Sequence, residues 1–291
     1  MTHDHLQGVG YMVGGFFCIA LMDVAAKWLM TDGMTAVQLL ALRGWLSLPL
    51  IWMFERLQGL ATLRTRRVKA QLLRAIAGGV LTPWLFFSGI AVLPLAEATA
   101  LIFTSVFIMV LFGAVWLHEP VGRNKLLAAV IGFSGVLLIT RPGAVVFRIE
   151  ALLPLAAAVT YAASNVMGRW LSQTESTASL IFYMNLAMAI AMSAALPWFW
   201  QPFGQIEALA VAAVTVLGLL GHWGIVKAFS KAPIALIAPF EYSALLWAVL
   251  FGFWVFDELP DRLGLVGIAV IFSGGVYLVL TARKRPTGDR M

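Results

Sequence analysis

The chain has 291 residues, 61% of them apolar and 12% charged, with a formal net charge of +6 and a mean hydropathy of +0.91. A soluble domain carries about twice that fraction of charge, and the apolar runs here reach about 20 residues, the length that crosses a hydrocarbon core. This composition excludes a soluble globular domain, and it makes the surplus cations a report on loop orientation in a bilayer rather than on nucleic-acid binding.

Backbone groups in lipid must be satisfied within the protein, so long unbroken apolar runs predict helices rather than the alternating strands of a barrel. Ten spans are predicted, at 8–30, 36–55, 72–92, 97–117, 125–141, 151–171, 177–197, 208–229, 234–256 and 262–282. The first is not expected to be a cleavable signal peptide, because MTHDHLQ before it carries no Lys or Arg and the apolar run is long. Cys18, the one cysteine, lies inside it as a small packing residue with no disulfide partner. His3 and His5 could hold a metal only adventitiously, and neither a metal nor a cofactor is expected. Lys and Arg set the orientation. With a cytoplasmic N-terminus, 15 of them fall on the inner side and only Arg141, Arg148 and Arg262 on the outer side. Both termini are therefore expected in the cytoplasm, with 283–291 as a basic cytoplasmic tail. The basic loop Arg56–Gln71 is expected to face anionic lipid.

The stretch Leu93–Gly143 recurs, shifted by 139 positions, at Ala232–Ala282. Pro94 falls on Pro233, Glu119 on Glu258, Arg123 on Arg262, and Phe133-Ser134-Gly135 on Phe272-Ser273-Gly274. Trp84 meets Trp223 at the same offset, while Asp23, Lys27 and Arg43 meet Asn165, Arg169 and Asn185 at an offset of 142. An ungapped match that includes Pro, Glu, Arg and Gly marks an internal duplication. An odd number of spans per repeat reverses the direction in which the second copy enters the membrane. The predicted fold is therefore an all-α integral membrane protein, one transmembrane domain of ten helices, built as two inverted five-helix repeats over about 8–143 and about 151–282.

LPLAEATAL and LHEP in the first half resemble the EamA-type branch of the drug/metabolite transporter superfamily, as do APIALIAPF and FDELP in the second, ALMDVAAKWL with Arg43, and GHWGIVKAF. The resemblance covers the whole chain; one departure is Pro260, a position later than its counterpart in LHEP. It implies ten helices, cytoplasmic termini, a central cavity and transport of small metabolites. Among members the pattern is most similar to bacterial carriers of S-adenosylmethionine, riboflavin, or amino acids and related metabolites.

Charges inside the spans cost about 2.5–3.5 kcal/mol each at mid-bilayer, so each needs a reason. Asp23 and Lys27 stand one turn apart on one helix face and can pair; with Arg43 they serve either insertion of span one or a gate. Glu241 lies two residues past Pro239 in span nine, where a proline frees backbone carbonyls, and it could carry a proton or meet a cationic substrate. His222 in span eight is either a neutral helix-to-helix donor or a substrate or proton contact. Tyr161, Asn165 and Arg169 form a polar stripe on span six. Trp84, Trp223 and Trp247, with Tyr242, lie deep enough either to wall a pocket or simply to pack, whereas Trp52, Trp116, Trp198, Trp200 and Trp254 are interfacial anchors. The glycine pairs Gly10/Gly14, Gly132/Gly135, Gly218/Gly221 and Gly264/Gly267 predict close helix contacts.

These readings converge on a secondary active transporter of the bacterial inner membrane. It would move a small polar organic metabolite by alternating access, by proton coupling or by exchange, and its partners would be that substrate, the bilayer and the coupling proton. A channel or a membrane-embedded enzyme is the alternative, although the chain has no GxxxxGK[ST], HExxH or GxSxG motif.

Overall fold

The computed structural model describes residues 3–57, 65, 67–116, 123–140, 148–172, 174–231 and 238–282. Glu119, Arg141, the 58–64 part of the basic loop, residues 232–237 and the 283–291 tail lie outside the described residues, as do the side chains of His3, His5 and Arg169. Along the chain run α1 (His3–Thr31), α2 (Ala36–Leu57), α3 (Val68–Arg74), a π-helical stretch (Ala75–Leu81), α4 (Thr82–Val92), α5 (Leu95–Ile102) and α6 (Ser105–Trp116). Then come α7 (Arg123–Thr140), α8 (Leu152–Leu171), α9 (Thr177–Phe199), α10 (Gln205–Lys231), a 3-10 turn (Ala238–Tyr242), α11 (Ser243–Phe256) and α12 (Arg262–Ala282). Among the described residues there is no strand. Six stretches, within α1, α2, α3–α4, α8, α9 and α10, are long and apolar enough to cross a membrane. Shorter apolar helices at Leu95–Met109, Leu126–Thr140, Phe240–Phe256 and Arg262–Tyr277 fill the other four predicted positions. This is a multi-pass, all-helical membrane protein.

Three of the spans predicted as continuous helices are interrupted. The third turns π-helical at Gly78 and Gly79, where Cβ atoms would overlap Ser164 of α8 and the Met184 carbonyl of α9. Thr82 Oγ1 donates to the Ala77 carbonyl at 2.8 Å, alongside the Thr82 backbone N–H that the π turn brings to the same oxygen. The fourth breaks at Phe103–Thr104, where Thr104 Oγ1 donates to the Leu101 carbonyl at 2.7 Å. The ninth changes from 3-10 to α geometry at Ser243.

The chain divides into two compact units, and each draws on both predicted repeats. One holds Met1–Ala20, Pro94–Ile149 and Leu220–Met291; the other holds Leu21–Leu93 and Glu150–Leu219. In the second unit, α2 packs along α9, the π stretch packs on α8 and α9, and α4 packs on α8. The α2–α9 pair is antiparallel. Thr35 Oγ1 donates to the Phe199 carbonyl, Trp45 Nε1 donates to Ser193 Oγ, and Ser47 Oγ donates to Asn185 Oδ1, at 2.9, 2.9 and 2.8 Å. Gly44 lets the backbones meet, since a Cβ there would lie 2.8 Å from the Ala189 Cα.

In the first unit, α7 packs along α12, and α5 packs on α11 and α12. Glycine makes the α7–α12 crossing possible. A Cβ on Gly135 would stand 2.7 Å from the Gly267 carbonyl oxygen, and one on Gly267 would stand 2.8 Å from the Gly135 carbonyl oxygen. A Cβ on Gly274 would meet the Ala128 carbonyl oxygen at 3.3 Å and Gly132 N at 3.1 Å. Contacts later in α7 fall earlier in α12, so the helices are antiparallel. Shifted by 139, Ala128 becomes Gly267 and Gly135 becomes Gly274, so the Gly135 and Gly274 contacts are one contact seen from two sides. A second glycine crossing joins α1 and α10, where Cβ atoms on Gly15 and Gly221 would each lie 2.9 Å from the other's carbonyl oxygen. Close backbone approach of this kind is how helices associate when lipid removes the hydrophobic drive between them.

Gly135→Ala is expected to lower the detergent-solubilised protein's thermal midpoint by the equivalent of about 1–3 kcal/mol, because backbone must move to admit the methyl group. Gly10→Ala, at a glycine with open space around it, leaves the midpoint unchanged or slightly raised. Equal losses at both positions would refute the crossing.

Candidate functional site

The predicted site residues divide between the two units. In the second unit, Asp23 and Lys27 are 6% and 2% exposed on α1. The partner found for Lys27 differs from the expected Asp23: Lys27 Nζ donates to the Leu93 carbonyl at 2.8 Å. Leu93 ends α4, so the ammonium sits at the negative end of a helix dipole. Arg43, half-buried on α2, places its guanidinium 5.8 Å from the Phe87 ring centroid and attracts the Asp23 carboxylate. A Cβ on Gly218 would lie 2.8 Å from both Arg43 Nη2 and Met22 Sδ, so the glycine of α10 makes room for the guanidinium. Asp23 Oδ1 is buried without a hydrogen-bond partner among the described residues. Tyr161 and Asn165 stand on an exposed face of α8, with Asn165 Nδ2 donating to the Tyr161 carbonyl at 2.8 Å, and Trp84 is 40% exposed on α4.

The first unit gathers the other candidates. Glu241 sits in the 3-10 turn immediately before α11, whereas the sequence reading placed it inside a span-nine helix kinked at Pro239. Next to it Tyr242 is 3% exposed, its ring 5.4 Å from both Phe103 and Phe272. Its hydroxyl lies against Gly275, where any Cβ would overlap it. Trp247 contacts Phe17 edge-on at 5.1 Å and stacks on Phe251. Trp223 takes the Tyr11 ring edge-on at 5.8 Å and Lys227 Nζ at 5.7 Å from its ring centroid; His222 beside it is exposed. Phe240 and Tyr11 pack on one cluster, Met12 with Ala228, which ties the Glu241 turn to the Trp223 corner.

Four buried polar atoms of this unit have no hydrogen-bond partner among the described residues: Thr99 Oγ1, Tyr242 OH, Ser243 Oγ and Trp247 Nε1. Three of them, Tyr242, Ser243 and Trp247, lie within six residues at the start of α11. Unpaired buried donors cost about 1–3 kcal/mol each, so their concentration beside a helix break is a costly feature of this unit. Thr99, Ser243 and Lys227 were missed as site residues because nothing in their local sequence sets them apart. Phe103 was within reach, because it is the residue that meets Tyr242 at an offset of 139, and the two rings touch. Glu258 also has a role that a motif match did not reveal: its Oε2 accepts from Leu95 N at 3.3 Å, at the N-terminus of α5.

A cavity of about 380 Å³ lined by Asp32, Gly33, Met34, Gln201, Glu207 and neighbours contains none of these candidates. Among the described residues no three His, Cys, Asp or Glu side chains gather as a metal site needs.

The model of the EamA-like transporter family matches the chain twice, at residues 6–141 and 148–281. The chain belongs to the EamA-like transporter family. Similar proteins include a riboflavin transporter of Vibrio cholerae, 26% identical over 100% of this chain and 98% of that protein. An S-adenosylmethionine uptake transporter of Rickettsia conorii is 24% identical over 96% and 95%, and the pseudopaline exporter CntI of Pseudomonas aeruginosa is 27% identical over 97% and 100%. A solved crystal structure of a protein 21% identical to this one, covering 94% of this chain and 98% of that one, has the same fold at a TM-score of 0.65. Membership places the chain with transporters rather than with catalysts.

Tyr242→Phe is expected to leave the thermal midpoint unchanged or to raise it, because the lost hydroxyl has no partner to abandon. A fall equivalent to more than about 1 kcal/mol would mean that the hydroxyl is structurally bonded.

Proposed function

We propose that this EamA-family protein is a secondary carrier of the bacterial inner membrane that moves a small polar organic metabolite by alternating access, with both termini in the cytoplasm. The observation that carries the substrate site is the cluster of unpaired polar atoms at the break in span nine. Discontinuous membrane helices in matching positions of two repeats are the usual place for a transported ligand. Here span four breaks at Phe103–Thr104 and span nine at Tyr242–Ser243, positions related by the 139-residue offset.

The two repeats are inverted in this reading. Its support is the antiparallel α7–α12 pair, whose contacts repeat under the offset, and the two matches to one family model. The count of 15 inner against three outer cations supports the cytoplasmic termini.

In the first unit Glu241, Tyr242, Ser243 and Trp247 bind the substrate, with His222 and Trp223 as further contacts. The carboxylate of Glu241 meets a cationic or hydrogen-donating group, and the Tyr242 and Ser243 hydroxyls and the Trp247 indole N–H meet its acceptors. The rings of Phe17, Phe103, Phe251 and Phe272 hold its apolar part. In the second unit Asp23, Lys27 and Arg43 serve the gate, with Trp84, Tyr161 and Asn165 on exposed helix faces along the path. The named relatives carry riboflavin, S-adenosylmethionine or pseudopaline, and what these cargoes share is small size and polarity rather than one scaffold.

A thermal-shift screen of the purified carrier against riboflavin, S-adenosylmethionine, amino acids and polyamines tests this. At a ligand concentration of about 100 times Kd, binding contributes about 2.7 kcal/mol to stability. A ligand that stabilises the native chain but neither Glu241→Gln nor Tyr242→Phe is the expected result. Equal stabilisation of all three would remove the break in span nine from the site, and no stabilisation by any compound would remove this substrate class.

A further inference from the structure

The second unit contains a buried acid that substrate binding does not use. Asp23 is 6% exposed on α1, within a stretch long and apolar enough to cross a membrane. Its Oδ1 has no hydrogen-bond partner among the described residues. The groups placed on this cluster are Lys27 one turn along α1, Arg43 from α2, the Phe87 ring and Leu93 carbonyl from α4, and Gly218 from α10. Arg43 and Lys27 are the charged groups among them, and Lys27 directs its ammonium at the Leu93 carbonyl. Gly218 lies against both Arg43 Nη2 and the Sδ of Met22, the residue before Asp23, so the guanidinium stands beside the Asp23 turn of α1, where its charge attracts the carboxylate.

The duplication supplies an internal control. At an offset of 142, Asp23 corresponds to Asn165 and Arg43 to Asn185, both uncharged amides. Both amides are bonded: exposed Asn165 donates through Nδ2 to the Tyr161 carbonyl at 2.8 Å, and Asn185 donates to the Ile181 carbonyl at 3.0 Å while accepting from Ser47 Oγ at 2.8 Å. The architecture therefore needs no charge at these positions. What Asp23 and Arg43 add is a group that can gain and lose a proton, facing a cation that cannot. Holding an unpaired carboxylate oxygen out of water is costly, and a cost retained in one repeat and absent from the other indicates use.

We propose that Asp23 is a proton-binding site of this carrier and that Arg43 reads its charge. One proton from the aqueous phase adds to the Asp23 carboxylate and makes a neutral acid. The Arg43 guanidinium, which keeps its own proton, then loses its counter-charge and becomes available to an anionic group such as a cargo carboxylate. Loss of the proton restores the Asp23–Arg43 attraction and expels that anion. The use of the site in transport rests on the carrier reading above; its existence does not.

The test needs no substrate. Infrared difference spectra of the full chain in nanodiscs, taken between about pH 4 and about pH 9, follow the protonated-carboxyl stretch over the interval in which protein carboxyls in varied surroundings titrate. A titrating band is expected that moves on labelling aspartate carboxyls with carbon-13, falls to baseline in Asp23→Asn and persists in Glu241→Gln. Its midpoint moves in Arg43→Gln, because the counter-charge is gone. Should Asp23→Asn fail to fold, Asp23→Glu decides instead, since the band must then cease to respond to aspartate labelling. A band that survives Asp23→Asn, that ignores aspartate labelling in the native chain, or that never appears overturns the proposal. None of these results depends on which ligand the thermal screen finds, so failure of the proton site and failure of the substrate site are separable.

Discussion

Everything in this chain follows from the bilayer's inability to hydrogen-bond a peptide group. That constraint makes each crossing a helix, and it also removes the usual force for packing one helix on another, since lipid tails are as apolar as leucine. What remains is contact at very short range. The chain meets this need with glycine at the Gly15–Gly221 and Gly135–Gly267 crossings and where Gly44 of α2 meets Ala189 of α9, so that backbone atoms approach closer than a methyl group would allow. These crossings establish the two packed units, and the units in turn hold the few irregular segments in place.

The same constraint makes each irregular segment meaningful. In the π stretch of span three the Ala77 carbonyl accepts from both the N–H and the hydroxyl of Thr82, and at the break in span four the Leu101 carbonyl accepts from both the N–H and the hydroxyl of Thr104. The break at the start of α11 is different. Around it Tyr242, Ser243 and Trp247 keep polar atoms buried without hydrogen-bond partners among the described residues, while the Tyr242 and Trp247 rings pack on neighbouring rings. The first two irregularities are bonded by their own backbone and hydroxyls, whereas the third leaves side-chain polar atoms unmatched among the described residues. Glu258, which accepts from the first amide of α5, is bonded like the first two.

Duplication supplies the second level of organisation. Where both copies do the same work they still resemble one another, as at the glycines of α7 and α12 or at Phe103 and Tyr242, which touch across the relation that made them. Where the copies have diverged, the difference isolates what only one copy does. Asp23 and Arg43 against Asn165 and Asn185 is such a case, with neutral amides in one copy and an acid and a cation in the other.

Much of this was legible from residues alone, because the signals were one-dimensional. Span length, the asymmetry of Lys and Arg, the 139-residue offset and the glycine positions all follow from local composition and from the bilayer, and they were enough to set the class, the ten spans, the duplication and the family. The charged residues of span one and the acid after Pro239 also stood out, because charge is rare in apolar helices. Only the tertiary structure decided which partners those residues have. Helical spacing offered Lys27 to Asp23, yet the ammonium reaches the end of α4 instead, 66 positions away. Nor could sequence separate Thr99 and Ser243 from the many hydroxyls that simply bond their own helix. The reason is physical: a side chain's spacing is set by its own helix, but its partner is set by whichever distant helix the glycine crossings bring against it.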